Sequence, residues 1–222
     1  SRAEAQLQCD ATNTPPTNNH QSWAPGSTIV VYFDPQMPAD LRDAAIIAFR
    51  NWSRVGGSGV EFGGFYSDTV RALAPGPGTV GVVMEDLGGL KPDLTDNVGL
   101  TVRQPGLDHL LSALILINNQ VRDLRSMTEA VSHEIGHTFK LANCESCWPG
   151  RSAMTFPWIE FNDVGTGRPR PGKCDQQAVA MYNGYPPPPG GFPEDNSDEC
   201  YECSIYETCF DEQGAPYICG EQ

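Results

Sequence analysis

Apolar positions Leu41, Ala45, Ile46, Ala48, Phe49 and Trp52 recur at helical spacing between Pro38 and Val55. They predict a long amphipathic helix, closed by Gly56-Gly57. Around it lie short β-branched and aromatic runs that predict strands: Thr28 to Phe33, Val60 to Tyr66, Val80 to Glu85 and Ser112 to Asn118, with a weaker one at Val98 to Gln104. Pro75-Gly76-Pro77-Gly78 and Pro105-Gly106 supply turns between them. A second helix is predicted from Ser126, where Ser126 and Glu129 carry a capping-box signature. Its apolar Val131 and Ile135 bury one side. After it the chain loses regular pattern until a last helix over Asp175 to Tyr182. The class is α/β (α+β), rich in loops. Residues 1–185 form the main domain, 186–193 a proline- and glycine-rich linker, and 194–222 a tail. No internal repeat interrupts this order.

The helix from Ser126 carries His133-Glu134-Ile135-Gly136-His137, an HExxH sequence. Side chains four apart share one helical face, so both imidazoles can meet one zinc ion. The glutamate beside the first histidine is then placed to take a proton from water at that metal. A pair of unliganded histidines is the competing reading, and the capped, half-apolar helix speaks against it.

The stretch HEIGHTFKLAN from His133 to Asn143, followed by Ser152-Ala153-Met154, resembles the metzincin clan of zinc peptidases. Within that clan it is most similar to secreted proteins reading HEIGHTFGL-x-D-C and to the small snapalysin-like enzymes. The resemblance spans 28–185 by pattern and is specific in its residues only over 133–154. It implies a two-lobed catalytic domain with a twisted mixed sheet, a backing helix and an active-site helix. It further implies zinc held by His133, His137 and Asn143, Glu134 as general base, and Met154 as a hydrophobic floor under the ligands. Trp158 follows the methionine turn, either lining the S1′ pocket or filling the core.

The chain departs from the clan at three places. Asn143 stands where the clan has His or Asp, a neutral and weaker donor; Asp163, Asp175, Glu160 and His109 are the other candidates for that ligand. Lys140 replaces a glycine that lets the chain leave the helix sharply, so either lysine takes φ > 0 or the helix ends elsewhere. Phe156 replaces a tyrosine that assists the oxyanion, unless Tyr182 or Tyr185 comes over from the last helix.

Eight cysteines predict disulfides and an oxidising compartment. Cys144 and Cys147 pair among themselves, Cys9 and Cys174. Cys200, Cys203, Cys209 and Cys219 form tail bridges or, less simply, a second zinc site. The chain opens without an apolar leader, so a secreted form has already lost its presequence. A net charge of −14 argues against nucleic acid or an anionic membrane as partner. Nine of the 28 acidic residues and none of the 14 Lys and Arg lie in 186–222, leaving the remainder at −5. The expectation is a secreted, monomeric zinc endopeptidase acting on protein or peptide. The alternatives are a non-catalytic binding protein on the same frame, and hydrolysis of a non-peptide amide or ester.

Overall fold

The computed structural model describes residues 9–90, 98–147, 152–155, 170–192, 208–210 and 216–218. Within them the chain runs β1 (Thr28–Phe33), α1 (Ala39–Trp52), β2 (Glu61–Ser67), α2 (Thr69–Leu73), β3 (Thr79–Glu85), α3 (Leu87–Leu90), β4 (Gly99–Pro105), β5 (Leu110–Asn118), α4 (Leu124–Thr138) and α5 (Lys173–Asn183). Two short strands, β6 (Thr208–Phe210) and β7 (Pro216–Ile218), pair antiparallel in the tail. Every element predicted from the pattern is present, with ends displaced by at most three residues. The unpredicted α2 and α3 have five and four residues, too few to display a helical period.

The first five strands form one mixed sheet in the order β2-β1-β3-β5-β4. β1, β2, β3 and β5 run parallel, and β4 pairs antiparallel with β5 to form one edge. Side chains alternate across a strand, so Ile29, Val31, Phe33, Val80, Val82, Ala113, Ile115 and Ile117 reach one core. That core is covered by α1 and α4, which supply Leu41, Ala45, Phe49, Trp52, Met127, Val131 and Ile135. Gly81, of the opposite parity in β3, faces α2: a Cβ there would stand 1.9 Å from the Ala72 carbonyl oxygen. The fold is therefore a mixed α/β sheet with a backing helix and a second helix, α4, laid beside it. That second helix carries the histidines.

Buried tryptophans pin α4 through polar tips. Trp52 Nε1 donates to Ser132 Oγ at 2.8 Å, and Trp23 Nε1 donates to Thr138 Oγ1 at 2.9 Å. Such buried N–H groups need partners, and each here takes one on α4. Trp52 also stacks on Phe139 at 5.7 Å between centroids.

Disulfides join Cys9 to Cys174 and Cys144 to Cys147. The first ties the N-terminal segment to α5 across 165 residues of sequence. The stretch predicted as a linker lies on the body as far as Phe192, which packs against the core. The remaining tail cysteines lie outside the described residues, apart from the backbone at Cys209. Among the described residues no helix is long and apolar enough to cross a membrane.

Candidate metal centre

Asp123, rather than Ser126, caps α4: its carboxylate accepts from the Ser126 N–H at 2.8 Å. The helix therefore starts one turn earlier than the Ser126 signature predicts. Glu129, released from the capping box, accepts from Arg125 Nε at 2.8 Å one turn back. Burial pushes the Glu129 carboxyl up, and Arg125 pulls it down. Either residue satisfies the N-cap pattern locally, and Asp123 is the one whose side chain bonds the first turn.

One turn apart on α4, the His133 and His137 rings stand edge to face with centroids 4.9 Å apart. With Glu134 they offer ligand atoms that all lie within 4.8 Å of one another. His133 and Glu134 are buried. Each imidazole is oriented by a main-chain carbonyl on its inner nitrogen. His133 Nδ1 meets the Ala153 oxygen at 3.0 Å, and His137 Nδ1 meets the Leu141 oxygen at 2.9 Å. A carbonyl only accepts, so both Nδ1 atoms carry the proton and both Nε2 atoms present a lone pair. Burial holds each histidine pKa down to about 4, so both are neutral at neutral pH.

Beyond Thr138 the chain turns through Lys140 in the left-handed region, at φ +70°. The Leu141 N–H reaches back to the Gly136 carbonyl at 3.2 Å, the six-to-one bond of a Schellman ending. A lysine there costs about 1–2 kcal/mol against glycine. Buried Leu141 and a Lys140 Nζ bond to the Tyr182 carbonyl at 3.2 Å offset part of it. The N-terminal segment straps the same turn: Asn18 Nδ2 donates to the Leu141 carbonyl at 2.8 Å, and the Ala142 N–H donates to the Pro16 carbonyl at 2.7 Å. This exit delivers Asn143, whose Oδ1 lies 3.1 Å from His133 Nε2.

That contact tests the fit of a metal. With Nδ1 protonated, His133 Nε2 and Asn143 Oδ1 are two acceptors facing each other, a repulsive pair unless a cation lies between them. Donors of one tetrahedral zinc, with bonds of about 2.0–2.1 Å, stand roughly 3.3 Å apart. The donor set fits a divalent, nitrogen- and oxygen-preferring ion.

The chain is similar to archaemetzincin from Methanopyrus kandleri. The match has a TM-score of 0.48 and 19% identity, covering 76% of this chain and 98% of the archaemetzincin chain. No family model matches the chain. No curated protein matches it either.

Met154 is buried against α4 between the two histidines: a Cβ on Gly136 would stand 2.2 Å from its sulfur. Asp175 holds this turn. Its carboxylate accepts from Ser152 Oγ, from the Ala153 N–H at 2.9 Å and from the Gly172 N–H at 2.8 Å. Asp175, a candidate ligand by sequence, thus acts one step removed, positioning the Ala153 carbonyl that orients His133. His109 is exposed at the β4–β5 turn. The Tyr182 and Tyr185 hydroxyls donate to the Pro15 and Trp23 carbonyls, both at 3.0 Å, so neither replaces the missing tyrosine. Trp158, Phe156, Glu160 and Asp163 lie outside the described residues.

The residues that sequence reasoning missed are on β4. Thr101 Oγ1 donates to Glu134 Oε2 at 2.6 Å, and Arg103 Nη1 donates to the His137 carbonyl at 3.3 Å. Gly99 completes the face: a Cβ there would stand 2.7 Å from Glu134 Oε1. Burial pushes the Glu134 carboxyl up, while His133, Thr101 and Arg103 favour its charged form. Alternation along β4 was legible, but nothing local marks which helix its odd-numbered face meets.

Proposed function

We propose that this chain is a secreted, monomeric zinc endopeptidase, with His133, His137 and Asn143 holding the ion and Glu134 as general base. The observation that carries the reading is the paired Nε2 lone pairs of a buried HExxH helix, set by main-chain carbonyls and flanked by the Asn143 oxygen. When bound, zinc polarises the scissile carbonyl and lowers the pKa of a bound water to about 7. Glu134 is held at Oε2 by Thr101, which leaves Oε1 to take the proton from the attacking water and pass it to the leaving amine. Met154 supports the histidine pair from below, and Trp158 forms part of the S1′ wall. An extended peptide adds to β4, the antiparallel edge of the sheet, by main-chain pairing. The disulfides support an oxidising, extracellular setting.

The test is digestion of denatured casein by zinc-replete protein. Internal cleavage that chelator abolishes and added zinc restores is the expected result. One zinc bound per chain without cleavage of any peptide would favour a binding protein on the same frame.

A further inference from the structure

The face of β4 that holds Glu134 continues into a cavity of about 290 Å³. Thr101, Arg103 and Pro105, alternate residues of one strand face, line it together with Leu110, His20 and Gln21. The cavity abuts the metal centre, because its Thr101 wall bonds Glu134 and its Arg103 wall bonds the end of α4. Gln21 is tied to the β4–β5 turn, where its Nε2 donates to the Gly106 and Leu107 carbonyls at 3.0 and 2.9 Å.

Arg103 is the unusual member. A guanidinium has five N–H donors, and among the described residues one bond, to the His137 carbonyl, is made. No ion pair to Arg103 occurs among those residues either. Burial lowers its pKa, the cost of a cation withdrawn from water; the Glu134 charge acts in the opposite sense. The exposed His20 adds an imidazole to the lining. The cavity thus combines apolar walls from Pro105 and Leu110 with a half-buried, under-bonded planar cation. Such a fork binds carboxylates and phosphates in paired fashion, and of these an unmodified peptide carries carboxylates.

We propose that this cavity is a substrate subsite for a carboxylate, gripped by Arg103 beside the reacting bond. The substrate identity rests on the peptidase reading above, whereas the carboxylate preference is a property of the cavity itself. The source is either an Asp or Glu side chain or the free C-terminus of a short peptide. The overall charge of −14 does not oppose this, since charges farther off than about 8 Å are screened in physiological salt while a contact pair is not. If Arg103 served only to favour ionised Glu134, its loss would slow every peptide alike and change no preference.

The experiment uses zinc-loaded Glu134→Gln protein, which binds peptides without cutting them. Decapeptides with otherwise uncharged side chains carry a single Glu or Gln stepped through the sequence, each with a free or an amidated C-terminus. At one position, or at the terminus, the carboxylate form should bind about tenfold tighter than its amide. Arg103→Met in the same background should bring that ratio near one, Arg103→Glu should invert it, and Arg103→Lys should keep part of it. Zinc content and thermal unfolding of each variant confirm an intact centre. The absence of any carboxylate preference, or a preference that survives in Arg103→Met, would overturn the proposal. Should a variant not fold, the ratio in the parent protein decides alone. Wild-type protein that binds with the expected ratio but cuts nothing would sink the peptidase reading and leave the subsite standing. Cutting without the ratio would do the reverse.

Discussion

Glu134→Gln is expected to keep zinc bound and to lower kcat/KM for peptide cleavage by about 10²–10⁴-fold. Gln is isosteric, so the Thr101 hydroxyl still has an oxygen to meet and the tight fit against Gly99 is preserved. The change removes proton-accepting capacity while keeping the shape of the side chain. It also removes a buried carboxyl whose charged form is costly, so stability should hold or rise slightly. The check is kcat/KM on a quenched peptide, with zinc stoichiometry and unfolding midpoint measured on the same preparation. Retention of more than about a tenth of the wild-type rate would remove Glu134 from the base role, since loss of a general base typically costs about 10²–10⁴-fold.

Asn143→Asp is expected to tighten zinc by about 10- to 100-fold, and Asn143→Ala to loosen it by a similar factor. The reason is charge at contact range. A neutral amide oxygen at 3.1 Å from His133 Nε2 satisfies the geometry of a third donor but attracts a divalent ion only through its dipole, with no formal charge. A carboxylate in the same place supplies both. If Asn143 instead only hydrogen-bonds His133 through a turned amide, Asp would abolish that donor and weaken the centre. The two assignments therefore predict opposite signs for one substitution. Competition against a chelator of known affinity reads the difference, and a threefold or smaller change in both variants would exclude Asn143 as a ligand.

Much of this molecule was legible along the chain because its signals are local. β-Branched runs marked β1, β3 and β5, and the period of Leu41, Ala45, Phe49 and Trp52 marked α1. The HExxH spacing placed two imidazoles on one face without any knowledge of the sheet. Lys140 looked like an obstacle to the ligand that follows it. The chain meets it with a left-handed lysine, paid for by the Schellman bond and by burial of Leu141. What could not be read depends on pairings distant in sequence. Thr101 reaches Glu134 only because β4 pairs with β5 at the sheet edge and meets α4 with its odd-numbered side chains. Asp175 stands out as an acid after a sparse stretch, yet its partners Ser152 and Ala153 are more than twenty residues upstream. The N-terminal strap is polar and aperiodic, and its place follows from the Cys9–Cys174 bridge and from bonds to the turn after α4.

Diffraction at the zinc absorption edge, from crystals grown with saturating zinc, tests most directly whether one ion organises these side chains. A single anomalous peak should lie between His133 Nε2 and His137 Nε2, in contact with the Asn143 oxygen and with both Nδ1 atoms still on the Ala153 and Leu141 carbonyls. Density showing the two rings bonded to each other's surroundings, with no peak between them, would contradict a metal centre at this helix.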